Sequence, residues 1–425
     1  MLKRKPYCLV LGGGGAKGVY HIGVWQALRE LRIPVNAFIG NSIGAIMGAF
    51  FAQHDEDKLI EISENIDINS LIQFADEEHS DKGNSLRQSI KYWQAASQKL
   101  IQRKGLDTRP IRKLLEQALD EQRIRQSGYD FGITTINVSD LQPRDVFIEN
   151  MEAGELINYV LASASFPGFE QPTIAGKKYI DGGLYDNLPY RMARQRGYRK
   201  IILVDISGIG VSRRPKTEGS ETIYIKNSID MGSVFDFSSD FMVQYRQLGY
   251  LDTMRVFGKL KGYRYFLKNK DRLEKKWQAK QQHNESLAKL KKYFPDEMKH
   301  DRRDLLKIVD TCAQLLQVDK IKAYSFSDLI SAINEELADT ENKAKRFLAK
   351  HHLDSDQATL KLLDALTKEV MTRELLSENP YYYYLLMKDH NHKRTIAIAE
   401  KALFGLVPEL EILKFYLTDV RDFQA

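Results

Sequence analysis

Three short stretches of this chain hold residue types that could do chemistry together. The first is Gly12-Gly13-Gly14-Gly15-Ala16-Lys17-Gly18. It follows an apolar run at residues 7–11 and precedes apolar residues at helical spacing. Unpaired N–H groups at a helix start, together with the helix dipole, favour an anion there. Glycine lets that backbone approach a ligand closely. The loop therefore reads as an anion site, either a phosphate cradle or an oxyanion hole. Two phosphate readings fail on spacing. Gly13-x-Gly15-x-x-Gly18 has the form of a dinucleotide fingerprint, yet Ile39-Gly40-Asn41-Ser42 ends the next strand with no acid. A P-loop needs Gly-Lys-Ser/Thr, and Lys17 stands between Ala16 and Gly18.

The second stretch is Gly40-Asn41-Ser42-Ile43-Gly44. A G-x-S-x-G string on a strand-to-helix turn lifts the serine hydroxyl to a sheet edge, with small neighbours because the turn is tight. The third is Tyr179-Ile180-Asp181-Gly182-Gly183, which puts Asp181 at a strand end with two glycines clearing space around it. A serine nucleophile needs a base. None of the nine histidines lies on a loop after a late strand, where a Ser-acid-His order would need it. His21 lies upstream of Ser42 and is expected to pack or face solvent. A carboxylate acting directly on the serine is the simpler assembly.

These residues need a scaffold, and the first 205 residues alternate between strand and helix signals. Strands are expected at residues 7–11, 37–39, 131–137, 146–149, 179–180 and 200–206, with helices at 18–31, from 43, at 155–164 and at 188–196. The expected fold class is α/β: a mostly parallel sheet with helices on both faces. Residues 53–128 are polar and helix-prone, an expected helical insertion or lid. Residues 207–222 read as a long polar loop. Past 267 glycine survives only at Gly405 and helix-forming residues dominate. The expected division is a catalytic domain at 1–267 and an all-α C-terminal region at 268–425.

Composition excludes several classes. The 425 residues carry 63 Lys and Arg against 57 Asp and Glu, a net charge of +6, too weak to imply nucleic acid. Two cysteines, Cys8 and Cys312, rule out a disulfide scaffold or a Cys-rich zinc fold. No metal or cofactor is expected. The longest apolar stretch, residues 39–52, is short for a membrane span and is broken by Asn41 and Ser42. The N-terminal apolar core is too short for a signal peptide. A cytoplasmic protein with peripheral contact at the inner membrane surface is expected. Residues 268–292 hold nine Lys and Arg against three Asp and Glu, with Leu273 and Trp277 one turn apart, a candidate for docking on anionic lipid. The stretches at 380–384 and 403–407 are expected to pack in a helical core.

Together these motifs resemble the patatin-like phospholipase family, in the bacterial intracellular branch similar to neuropathy target esterase catalytic domains. The resemblance runs over about residues 5–267 and takes in Leu161-Ala-Ser-Ala-Ser-Phe-Pro-Gly168 and Asp181-Gly-Gly-Leu-Tyr-Asp-Asn-Leu-Pro189, with a weaker match at Gly249–Thr253. It implies a patatin-like sheet and a Ser-Asp dyad, with Ser42 as nucleophile and Asp181 as general base. It implies an oxyanion hole from the amides of Gly14 and Gly15, with Gly13 shaping the turn and Lys17 holding the loop. Gly40 and Gly44 frame the elbow, and Gly182 and Gly183 the acid. Position 12 is also glycine, so the inward amides are open by one residue. Asp205 is the runner-up acid. The implied reaction is hydrolysis of fatty acyl esters of phospholipids or lysophospholipids through an acyl-serine. The alternatives are a neutral-lipid or general carboxylesterase and, in another class, a nonenzymatic lipid- or nucleotide-binding protein. The implied partner is a lipid ester at a membrane surface, without nucleic acid.

Overall fold

Strands β1 (Tyr7–Leu11), β2 (Val35–Gly40), β3 (Asp130–Asn137), β4 (Gln142–Phe147), β5 (Thr173–Ile174), β6 (Lys177–Asp181), β7 (Lys200–Asp205) and β8 (Glu221–Lys226) build one eight-stranded sheet. This is a computed structural model, and it describes residues 5–65, 109–165, 170–208, 211, 213, 215–234, 236–280, 285–298, 303–351, 380–381, 384–385, 401 and 403–421. The chain divides into two compact units, residues 1–256 and 257–425, ahead of the composition change at 267.

β8, β7, β1, β2 and β3 run parallel in that order. β1 lies at the centre and is buried along its whole length, which explains its unbroken apolar run. Helices cover both faces. On one face, Leu188, Tyr190, Met192 and Ala193 pack on Cys8, Val10, Ile39 and Leu203. On the other lie α1 (Val19–Glu30) and α2 (Ile43–Ala52). There Phe51 packs on Trp25 and Phe38, with ring centroids 5.4 and 5.8 Å apart.

The pairing of β3 decides where the chemistry falls. β4 runs antiparallel along one edge, over Gly132–Asn137. Gly132 and Ile133 also pair with Ile39 and Gly40 of β2, so β2 holds the opposite edge. Thr135 pairs with Arg144 of β4 and with Asp181 of β6, so β6 shares the edge held by β2. β6 is antiparallel to β3 and β2 is parallel, so their C-terminal ends meet head to head. The two anchor points, Ile133 and Thr135, are two residues apart, about 7 Å along the strand.

Two expectations need correction. The strand expected at 146–149 is Gln142–Phe147, and Ile148–Asn150 is a 3-10 turn. Residues 142–145 include Pro143 and two charges and lie on a sheet edge, which hid them from an apolar search. β8 follows the expected polar loop and overlaps its last two residues; it is an edge strand whose residues are mostly exposed or half-buried. The helical insertion is described at both ends, by α3 (Glu56–Asn65), α4 (Arg109–Ala118) and α5 (Glu121–Gln126). Residues 66–108 lie outside the described residues. Gln53 ties the two ends together: its Nε2 donates to Ala118 O at 2.8 Å and its Oε1 accepts from Asp120 N at 2.9 Å.

The helix-starting glycine loop is braced from behind. Beyond α6 (Leu156–Ala164) and α7 (Tyr190–Gln195), the long helix α8 (Ser239–Val256) packs directly on α1. A Cβ on Gly23 would stand 1.9 Å from Arg246 O, and one on Gly249 2.2 Å from Tyr20 O. The two backbones touch at reciprocal glycines. Tyr20 Oη donates to Asp252 Oδ2 at 2.8 Å beside this contact.

The second unit is mostly helical but not all-α. β9 (Leu260–Lys261), β10 (Phe266–Lys268) and β11 (Ala323–Tyr324) form a small sheet, too short to leave a periodic signal. Asp310 Oδ2 accepts the amides of Tyr263, Arg264 and Tyr265 at 3.0 to 3.2 Å and pins the β9–β10 turn. Trp277, in α9 (Arg272–Lys280), is 1% exposed and packs in this unit's core, so it is not offered to lipid. The exposed face of α9 carries Arg272, Lys275, Lys276 and Lys280 with no aromatic. Tyr381, Leu403 and Val407 are also core residues. Among the described residues, no helix is long and apolar enough to cross a membrane.

Gly23→Ala is expected to force α1 from α8 and to cost about 1 to 3 kcal/mol, read as a lower urea midpoint. An unchanged midpoint would show that the close approach is dispensable.

Candidate active site

The elbow forms where β2 ends. Ser42 has φ 54° and ψ −128°, a conformation sparsely populated for a residue with a Cβ. Such strain costs on the order of 1 to 3 kcal/mol and persists only where the surroundings hold it. The hold is visible. Ser42 N donates to Ser163 Oγ at 3.1 Å, and Ser163 Oγ donates to Thr134 O at 2.8 Å. Asn41 N donates to Leu11 O at 3.2 Å, and Gly44 N to Asn41 O at 2.8 Å. Gly40 and Gly44 allow the crowding: a Cβ on either would lie 2.2 to 2.3 Å from a backbone oxygen, of Gly44 and Leu11 respectively. Ser42 itself stays half-buried, within reach of a substrate.

Asp181 ends β6 and is 4% exposed. Its Oδ1 accepts from Gly183 N at 2.7 Å and from Asn41 Nδ2 at 3.3 Å. The Ser42 side chain also acts on this carboxyl and favours its ionised form. Burial pushes the Asp181 pKa up, and the Gly183 amide and the Ser42 and Asn41 side chains pull against it. Gly182 and Gly183 press against the Asn41 side chain, at 2.4 and 2.8 Å from a notional Cβ.

The glycine loop comes alongside from β1. Gly12 N donates to Val204 O at 3.1 Å and Gly13 N to Asn187 O at 3.3 Å. Ala16 N is taken by Val234 O at 2.8 Å and Lys17 N by Gly14 O at 3.2 Å. Among the described residues, the amides of Gly14 and Gly15 meet no acceptor. Gly15 has φ +55°, and a Cβ there would lie 2.3 Å from Val234 O, so this position requires glycine. Gly13 backs directly onto Ser42 Cβ, 2.9 Å from a notional Cβ. Lys17 is almost buried and pairs with Asp230 at 2.9 Å, tying the loop to the segment before α8.

Ser42, Asp181, Gly13, Gly14 and Gly15 therefore lie together. Asp205 does not join them. It ends β7, on the far side of β1 from β2, and is engaged by Tyr224 Oη, by Ser207 N at 2.8 Å and by Lys226 at 3.8 Å. His21 is fully buried, not at the surface, and its Nε2 lies 2.9 Å from Gly12 O. A carbonyl only accepts, so Nε2 carries the proton. Burial lowers its pKa to about 4, so it is neutral near pH 7. Asn41, Ser163 and Asn187 were not singled out by residue type. Ser163 and Asn187 fall inside the two longer matching stretches, which was their only signal. Phe166–Gly168 of the first stretch lie outside the described residues.

The sheet thus brings an elbow serine, a strand-end acid and a glycine loop together in one place. Residues 9–194 match the family model described as patatin-like phospholipase. Over 203 residues the chain is 29% identical to lysophospholipase NTE1 of Cryptococcus neoformans, covering 47% of this chain and 11% of that protein. Over 225 residues it is 30% identical to mouse patatin-like phospholipase domain-containing protein 7, covering 48% and 14%. Human patatin-like phospholipase domain-containing protein 6 is 30% identical over 221 residues, again 48% and 14%. The chain thus spans about an eighth of the length of these relatives.

The buried His21 gives a signed prediction. Its folded pKa is about 4 and its unfolded value 6.5, so protons favour the unfolded chain between them. The associated stability is whole above pH 6.5 and declines by about 3 kcal/mol as pH falls to 4. His21→Gln keeps a donor for Gly12 O and should lose less stability over that window in urea titrations. Parallel pH curves for the two proteins would refute this.

Proposed function

We propose that this chain is a lipid acyl hydrolase that cleaves fatty acyl esters of phospholipids or lysophospholipids through an acyl-serine. The observation that carries the reading is a strained, reachable serine beside a buried carboxylate on which it acts, next to two amides that meet no acceptor among the described residues. The names of the relatives, lysophospholipase and patatin-like phospholipase, favour lipid esters over water-soluble ones.

In this reading Ser42 Oγ attacks the ester carbonyl and its proton passes to Asp181. Burial makes Asp181 a stronger base than a surface carboxylate, while its hydrogen bonds keep the ionised form accessible. Charge gathers on the former carbonyl oxygen, where Gly14 and Gly15 N–H donate; each such donor contributes about 3 to 4 kcal/mol in comparable sites. Collapse breaks the ester C–O bond, and Asp181 returns the proton to the departing alkoxide. Water then adds to the acyl-serine with Asp181 again as base, releasing the fatty acid. Lys17 holds the loop and does not touch the reacting atoms.

Ser42→Ala should cut phospholipid and lysophospholipid hydrolysis by more than about 10³-fold and abolish fluorophosphonate labelling. Asp181→Asn should do comparable damage to hydrolysis. Labelling that persists in Ser42→Ala would sink the nucleophile, and full activity in Asp181→Asn would sink the dyad. Turnover of short soluble esters with every lipid inert would shift the reading to a general carboxylesterase.

The acid limb of kcat/KM should follow one ionisation above the ordinary carboxylate pKa of 3.8, because the base must be ionised and burial raises it. The same limb in His21→Gln is expected; its disappearance there would bring histidine into the proton path.

A further inference from the structure

Asn187 is 2% exposed, and both ends of its amide are engaged. Its Nδ2 donates to Gly13 O at 3.1 Å, and its Oδ1 accepts from Asn41 Nδ2 at 3.3 Å. The same Asn41 nitrogen lies 3.3 Å from Asp181 Oδ1. Carbonyl and carboxylate oxygens only accept, so their partners dictate the orientation of both amides. One chain of polar contacts therefore runs from Gly13 O through Asn187 and Asn41 to the carboxyl of Asp181.

The contact at Gly13 O has a directional effect. In a planar trans peptide the C=O and N–H point to opposite sides. The N–H opposite Gly13 O belongs to Gly14. Turning Gly13 O toward Asn187 thus turns the Gly14 amide the other way, where it meets no acceptor among the described residues. The next peptide is held alike: Lys17 N donates to Gly14 O at 3.2 Å, which turns the Gly15 amide outward. A run of four glycines has little intrinsic preference for one peptide orientation, so the hold must come from outside the run.

We infer that Asn187 is a positioning residue: it sets the Gly13–Gly14 peptide so that the Gly14 amide faces the developing oxyanion, and through Asn41 it ties that amide to Asp181. The inference rests on the lipid-hydrolase reading above. It adds a component that neither the nucleophile nor the base supplies, a fixed relation between the proton acceptor and the oxyanion donor. The backbone of Asn187 keeps two bonds of its own, from Gly13 N at 3.3 Å and to Val211 O at 2.8 Å. A side-chain substitution therefore leaves the loop anchored while freeing the peptide plane.

The test uses the full chain with Asn187→Ala and with Asn187→Leu, which keeps the volume but has no donor or acceptor. Each variant is measured for kcat and KM on a lysophospholipid. Each is also measured for affinity to a lipid trifluoromethyl ketone, which forms a serine-bound oxyanion, and to the unreactive ether analogue, which does not. The expected result is a loss of about 10²-fold in kcat and in ketone affinity together, with KM and ether affinity unchanged. Wild-type ketone affinity in a folded variant, or equal losses for ketone and ether, would overturn the assignment alone. If Asn187→Ala does not fold, Asn187→Leu decides by the same criteria; if neither folds, Asn187 is a residue of the fold and the assignment is overturned. A wild-type protein that neither hydrolyses lipid nor binds the ketone would overturn the hydrolase reading and this assignment with it.

Discussion

The site depends on two strands sharing one edge of a third. β4 occupies the whole of one side of the second half of β3, so β2 and β6 must both use the other. They approach from opposite directions and stop two residues short of collision. The gap between them is where Asn41 and Ser42 leave β2 and where Asp181 leaves β6. A one-residue slip of β6 on β3 would turn Asp181 to the opposite face of the sheet. Hydrogen-bond register, set by many backbone contacts, thus places the acid opposite the serine with no direct covalent or sequential link between them.

Around that gap, the polar groups divide the work by what each can accept or donate. The serine is held in an unfavourable backbone conformation by one hydroxyl, Ser163, which receives its N–H and passes its own proton to Thr134 O. Burial makes the acid more basic, while the groups donating to it favour its ionised form. The glycine loop presents amides because its carbonyls are occupied from the other side, by His21, Asn187 and Lys17 N. Nothing in this arrangement needs a long side chain to reach into the site. Small residues and backbone do the contacting, which suits the bulky acyl ester of the proposed reaction.

Much of the fold and its motif residues could be read from residue types alone. The strands β1, β2, β3 and β7 are rich in apolar residues because both faces of the sheet are covered, and they stood out for that reason. Ser42 and Asp181 stood out because glycines flank them where side chains would collide. The strands at the margin did not stand out: β4 carries Pro143 and two charges, and β8 is largely solvent-facing. Asn41, Ser163 and Asn187 escaped for a different reason. Their value lies in which backbone carbonyl or amide they meet after folding, and no local pattern encodes a partner 121 to 146 residues away, as for Ser163 with Ser42 and Asn187 with Asn41. Trp277 shows the converse: a Leu and a Trp one turn apart on a basic helix looked like a lipid-facing stripe, and the second unit had a core to receive it.

The backbone of Ser42 carries one more consequence. At φ 54° and ψ −128°, glycine would sit at this position with less strain than serine. The residue whose hydroxyl the proposed reaction uses is thus one the fold itself would rather do without. Selection for durability alone would drift toward glycine at position 42 and leave a sturdier, silent protein. On the proposed reading, serine at position 42 trades backbone comfort for a reactive hydroxyl.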